Sequence, residues 1–133
     1  MISAPRTRAA FSLRAPMPSH LWPYAAPVLL LVLSNVFMTF AWYGHLKFKA
    51  APLAIVIVVS WLIAFVEYCF AVPANRIGHA VYSAPQLKTM QEVITLAVFV
   101  VFSALYLNEP MNWRQIAGFA LIALGAGLVF SRA

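Results

Sequence analysis

The chain is poor in acid and nearly devoid of cysteine. Its 133 residues include three acidic side chains, Glu67, Glu92 and Glu109, against nine lysines and arginines. Charged residues make up 9% and hydrophobic residues 64% of the total. A soluble domain of this size could not hide that much apolar surface, so the composition is that of an integral membrane protein. The one cysteine, Cys69, excludes an intramolecular disulfide and argues against a metal cluster. His20, His45 and His79 fall in different segments with no ligand spacing. The chain also lacks a nucleophile–base pair and a phosphate-cradling glycine loop. The expectation is therefore a protein that is not an enzyme and holds no cofactor or metal. The net charge of +6 raises the question of nucleic acid. The basic residues, however, are spread over tail and loops, without a basic stripe interleaved with aromatics. They read as topology determinants, and nucleic acid is not an expected partner.

What is present is four uncharged apolar stretches: Ala25–Gly44, Ala50–Val66, Val93–Asn108 and Gln115–Ser131. Each is near the length that crosses a hydrocarbon core of about 30 Å at about 1.5 Å per residue. The predicted fold is all-α, a four-helix transmembrane bundle over 25–133 with short loops. Its helices are expected over about 25–45, 51–72, 84–108 and 113–131. Short connections make consecutive helices antiparallel neighbours. Residues 1–24, with Arg6, Arg8, Arg14, four prolines and no acid, read as a disordered extension. Four spans put Arg6, Arg8, Arg14, Arg76, Lys88 and Arg132 on one side, and Lys47, Lys49 and Arg114 on the other. This charge bias predicts both termini in the cytoplasm. A start at Met17 would even the count at three against three and leave the orientation weakly specified.

Local signals mark the helix ends. Ser83-Ala-Pro-Gln86 reads as a capping box with proline in the first turn, and Asn112-Trp-Arg-Gln115 as a weaker helix start. Pro73 and Pro110 are expected to end helices two and three. Glu67 then lies about six residues from the end of helix two, and Glu92 about eight residues into helix three. That is roughly 9 Å and 12 Å from one membrane face, so the two carboxylates are expected in one layer. Ionising both there is costly, and intramembrane carboxylates are functional candidates by default. Glu67 and Glu92 are thus the candidate proton- or cation-binding groups. The competing structural reading is an ion pair, for which Lys88 stands at the i,i+4 spacing from Glu92. Asn35, Trp42, Tyr68 and Gln91 are candidate cavity residues. Trp61, Phe65 and Tyr68 could meet an organic cation through their ring faces. Ser34 and Asn35, however, are of a kind that more often stitches helices together than binds a ligand.

Helix four is small-residue rich. Gly118 and Gly125 share a face, and small residues let helices approach closely in lipid. The segment Leu105-Tyr-Leu-Asn-Glu109-Pro110, followed by Gln115-Ile-Ala-Gly118-Phe-Ala-Leu121-Ile122-Ala-Leu-Gly125, resembles the drug/metabolite transporter superfamily. The spacing of Gly118, Leu121, Ile122 and Gly125 also resembles the helix-four dimer motif of small multidrug-resistance transporters. Those are four-helix proteins of this length that work as antiparallel dimers. Leu33 to His45, Phe65-Val-Glu67-Tyr68, Val72-Pro-Ala-Asn75-Arg76-Ile-Gly78 and Gln86 to Thr95 resemble a narrower bacterial family within that superfamily. One departure matters: small multidrug transporters carry an essential glutamate in helix one, where this chain has none and Asn35 is the deepest polar group.

The resemblance implies a multi-pass protein of a bacterial inner membrane that moves a small metabolite or drug, with a homodimer through Gly118, Leu121, Ile122 and Gly125. Its partners would be the lipid bilayer, a second copy and a small-molecule substrate. If a proton is coupled, Glu67 or Glu92 must take the role. Two other readings stand beside it: a non-transporting membrane subunit, and a subunit of a lipid-linked sugar flippase.

Overall fold

The computed structural model describes residues 18–131, with side chains from residue 21 onward. Any reading of the tail before residue 18 lies outside the described residues. Four helices follow one another: α1 (Pro18–Tyr43), α2 (Leu53–Gly78), α3 (Ala84–Leu105) and α4 (Trp113–Phe130). A 3-10 turn, Gly44–Lys47, closes α1. All four helices are long and apolar enough to cross a membrane, as the stretches predicted. The chain is therefore read as a multi-pass membrane protein.

Both predicted capping boxes are formed. Ser83 Oγ accepts the Gln86 amide at 3.2 Å, and Gln86 Oε1 accepts the Ser83 amide at 3.0 Å. Asn112 and Gln115 exchange the same two bonds, each at 3.0 Å. Each box satisfies two of the amides that a helix start otherwise leaves without partners.

Three boundaries differ from expectation. The first helix is already formed at Pro18, the first described residue and seven before the predicted start at 25, and runs through Pro23 and Pro27. The second does not stop at Pro73 but continues to Gly78. Proline removes one hydrogen bond, and membrane helices absorb that loss because neighbouring groups and small backbone adjustments compensate. Helix three is shorter than predicted and is capped at Tyr106, with Asn108 in the left-handed region at φ 58°. Ser103 Oγ donates to the Glu109 carbonyl at 2.6 Å and holds this exit.

α1 is the spine. It packs against α2 along most of its length and against α3 on an adjoining face, whereas α2 and α3 barely touch. α4 leans mainly on α3. At the end where α2 turns into α3, Gly78 lies against Pro27 and Leu87. A Cβ built there would fall 2.6 Å from Leu87 Cδ2 and 3.0 Å from Pro27 Cβ. The absence of a side chain at Gly78 is what lets three helices converge. Tyr82 closes the same end, donating to the Tyr24 carbonyl at 3.1 Å and meeting the Tyr24 ring edge to face. At the opposite end an aromatic cluster of Phe40, Phe99, Phe102 and Tyr106 ties α1 to α3. Tyr106 donates to the Gly44 carbonyl at 3.2 Å, and the Lys47 ammonium sits 4.2 Å from its ring centroid.

Candidate functional site

The polar groups of α1 are the adjacent Ser34 and Asn35 and, one turn on from Asn35, Thr39; Ser34 bonds toward α2 and Asn35 toward α3. Ser34 and Asn35 are fully buried and Thr39 nearly so. Ser34 Oγ donates to Glu67 Oε1 across the α1–α2 interface at 2.8 Å. Glu67 is 5% exposed. On the α3 side, the Thr95 hydroxyl is shared between Asn35 Oδ1 and the Gln91 carbonyl. Asn35 Nδ2 donates back to the Leu31 carbonyl at 2.8 Å. Thr39 Oγ1 donates to the Asn35 carbonyl at 2.7 Å. Among the described residues, no buried side-chain polar atom is left without a partner. That economy is what a lipid-surrounded bundle requires, since no water compensates an orphaned group.

The reckoned depths of the two carboxylates shift, but they stay within one helical turn of each other. Because α2 runs on to Gly78, Glu67 lies eleven residues from its end, about 16 Å by helical rise, against about 12 Å for Glu92. They also face different surroundings. Glu67 is sealed between α1 and α2. Glu92 is half exposed and bridged to Lys88, Nζ to Oε1 at 2.7 Å. The i,i+4 pairing is therefore formed, and among the described residues no hydrogen bond joins the two glutamates.

The gap between α2 and α3, floored by α1, divides into recesses around the Trp42 and Met38 side chains. One, of about 400 Å³, is lined by Glu67, Trp42, Trp61, Phe65, Tyr68 and Gln91 among others. It brings together four of the predicted residues: Glu67, Trp42, Tyr68 and Gln91. A second, also about 400 Å³, holds Glu92 and Thr95 with Phe119 of α4. Both volumes fall within the range of small-molecule sites. Asn35 does not line either recess: it is wholly enclosed and bonded to α3, so it serves the helix-stitching role. Sequence reasoning missed Met38, which lies four residues before Trp42 on the same face and joins both recesses. The signal was present in that spacing.

α4 contributes little to this core. None of its residues is buried, and a Cβ on Gly118, Gly125 or Gly127 would meet nothing within 4 Å. Leu121 and Ile122 are exposed. Among the described residues no three His, Cys, Asp or Glu side chains converge in a way that could hold a metal.

A sequence profile described as "Putative member of DMT superfamily (DUF486)" matches residues 27–130. The chain belongs to this family. The match spans all but the first turns of the described bundle, so the α2–α3 gap, Glu67 and the glycine helix all lie within it. Members of the drug/metabolite transporter superfamily are transporters, which agrees with a four-span architecture. No curated protein and no solved structure matches the chain.

Proposed function

We propose that this DUF486 protein is a small carrier of the drug/metabolite transporter type, working as a homodimer in a bacterial inner membrane with both termini in the cytoplasm. One observation carries the reading. A nearly buried carboxylate, Glu67, lines a recess walled by Trp42, Trp61, Phe65 and Tyr68. Ring faces and a carboxylate together suit a small organic cation, and a proton competing for the same carboxylate would couple the two movements. Ser34 holds Glu67 by a hydrogen bond, and Glu92 with Lys88 flanks the path. A single protomer encloses only recesses. A second copy packed on α4 through Gly118, Leu121, Ile122 and Gly125 would complete a cavity, as repeats do in other carriers.

The test is proton release on addition of tetraphenylphosphonium to the detergent-purified dimer. Release is expected from wild type and from Glu92→Gln, and none from Glu67→Gln, with the dimer intact in all three. Unchanged release from Glu67→Gln would end the assignment.

A second reading is favoured by the hydrogen bonding itself. Both glutamates already have protein partners, Ser34 and Lys88, as helix-stitching groups would. In that case the protein is a non-transporting subunit, and α4 docks on a larger membrane partner. Purification in mild detergent separates the two: a stoichiometric second protein supports the subunit, and a dimer of this chain alone supports the carrier.

A further inference from the structure

The carrier reading gives no task to a groove at the turn from α2 to α3. Where α2 ends and α3 begins, a groove of about 600 Å³ opens, lined by Asn75, Arg76, His79, Lys88 and Gln91 on a bed that includes Leu87. All three side chains of the groove that can carry positive charge are exposed. Among the described residues Arg76 forms no ion pair. Lys88 pairs with Glu92, but that bridge is open to solvent and so is weak and easily shared. The C-terminal end of α2 and the N-terminal end of α3 meet here. Their dipoles oppose one another, so side-chain charge decides the sign of the groove. That sign is positive. Asn75 and Gln91 add neutral donors, and Arg76 offers the planar fork that matches phosphate oxygens.

We propose that this groove is a phosphate-binding site, taking a phosphate carried either by an anionic lipid or by a soluble ligand. Basic pockets between transmembrane helices, on the side that the charge bias assigns to the cytoplasm, hold anionic head groups by this chemistry. The groove has apolar side chains, Val72 and Leu87 among them, and lies at the ends of two helices of membrane-spanning length. Arg76 grips the phosphate, Lys88 turns from Glu92 to share it, and His79 closes over it. The site is separate from the cation recess: Gln91 touches both, but Glu67 belongs only to the deeper one.

The experiment uses the full chain purified in a neutral detergent. Retention of phosphatidylglycerol is read by native mass spectrometry against phosphatidylcholine, and binding of inorganic phosphate by equilibrium dialysis. Wild type is expected to bind phosphatidylglycerol, inorganic phosphate, or both, and to ignore phosphatidylcholine. Loss of one surface charge should weaken binding about fivefold, so Arg76→Gln with Lys88→Gln should weaken it roughly thirtyfold. Arg76→Lys should lose less than Arg76→Gln. Arg114→Gln, at the other end of the bundle, and Glu67→Gln should leave binding within a factor of about two of wild type. Displacement of the lipid by inorganic phosphate assigns the site to a soluble ligand; lipid binding that inorganic phosphate does not disturb assigns it to a head group. The proposal is overturned if neither probe binds, if the double variant binds like wild type, or if Arg114→Gln weakens binding as much as Arg76→Gln. A silent cation assay with intact phosphate binding would sink the carrier reading and spare this one.

Discussion

α1 and α4 are both apolar enough to span a membrane, yet they are used in opposite ways. Over the membrane window, 39% of α1 is buried inside the protomer and 0% of α4. α1 carries Ser34, Asn35 and Thr39 at its buried face and satisfies each within the bundle. α4 carries glycines with open space beside them and, between its capped start and Ser131, no polar side chain. Hydropathy alone does not distinguish an interior helix from a peripheral one, because lipid is as apolar as a core. Polarity and bulk do. In lipid, hydrogen-bonding side chains mark faces that must be covered within the chain. Glycines mark faces that a neighbouring helix can approach closely.

If α1 is the spine, wedging it away from α2 and α3 should do the most damage. Gly78→Val places methyl groups against Pro27, whose ring cannot move aside, and against Leu87, which can. We expect a loss of about 1–3 kcal/mol from overpacking, read as a lower midpoint in thermal unfolding in detergent. A midpoint equal to wild type would mean that the convergence at Gly78 is loose.

The next effect is smaller and tests the polar seam. Asn35→Leu removes the α1–α3 bond, while the Thr95 hydroxyl keeps the Gln91 carbonyl as acceptor, so no donor is orphaned. Interhelical bonds of this kind average about 0.6 kcal/mol in membrane proteins. A double-mutant cycle with Thr95→Val should return a coupling of about that size. A coupling of zero would leave α1 and α3 joined by apolar and aromatic packing.

How much of this was legible beforehand follows from the same contrast. The four spans and both capping boxes were readable because they depend on local spacing and residue type. Pro73 misled because the rule that proline ends helices is calibrated in water, and lipid relaxes it. That one boundary moved the end of α2 by six residues, and with it the reckoned depth of Glu67. The direction in which each side chain points was harder still. When both core and solvent are apolar, helical periodicity fades, and Glu67 and Glu92 look alike in sequence though one is sealed and one is half exposed. The i,i+4 spacing of Lys88 and Glu92 was the clue that told them apart. Asn35 looked like a cavity residue because it lies deep, and depth does not say which face of a helix a residue occupies.

That difference between the carboxylates yields a third expectation. Glu92→Gln breaks an exposed bridge, and such pairs contribute about 0.2–1 kcal/mol. Thermal unfolding should therefore shift only slightly, and the shift should shrink further in high salt. A large, salt-insensitive loss would mean that Glu92 is buried by a second copy in the working assembly.

The smallest effect on the fold is predicted for α4, and it sharpens the comparison most. Gly118→Leu with Gly125→Leu adds bulk where the protomer has nothing nearby, so an isolated protomer should lose no more than about 0.5 kcal/mol of stability. Leucine also favours helix over glycine by up to about 1 kcal/mol per site, which works against any loss. The same change would hold an approaching helix away. In a dimer packed on α4, the paired variant should therefore elute as a monomer with an unchanged helical circular dichroism spectrum. Retention of the dimer would shift the second copy to another face. The α2–α3 side, whose recesses hold the glutamates, would then be the surface to cross-link.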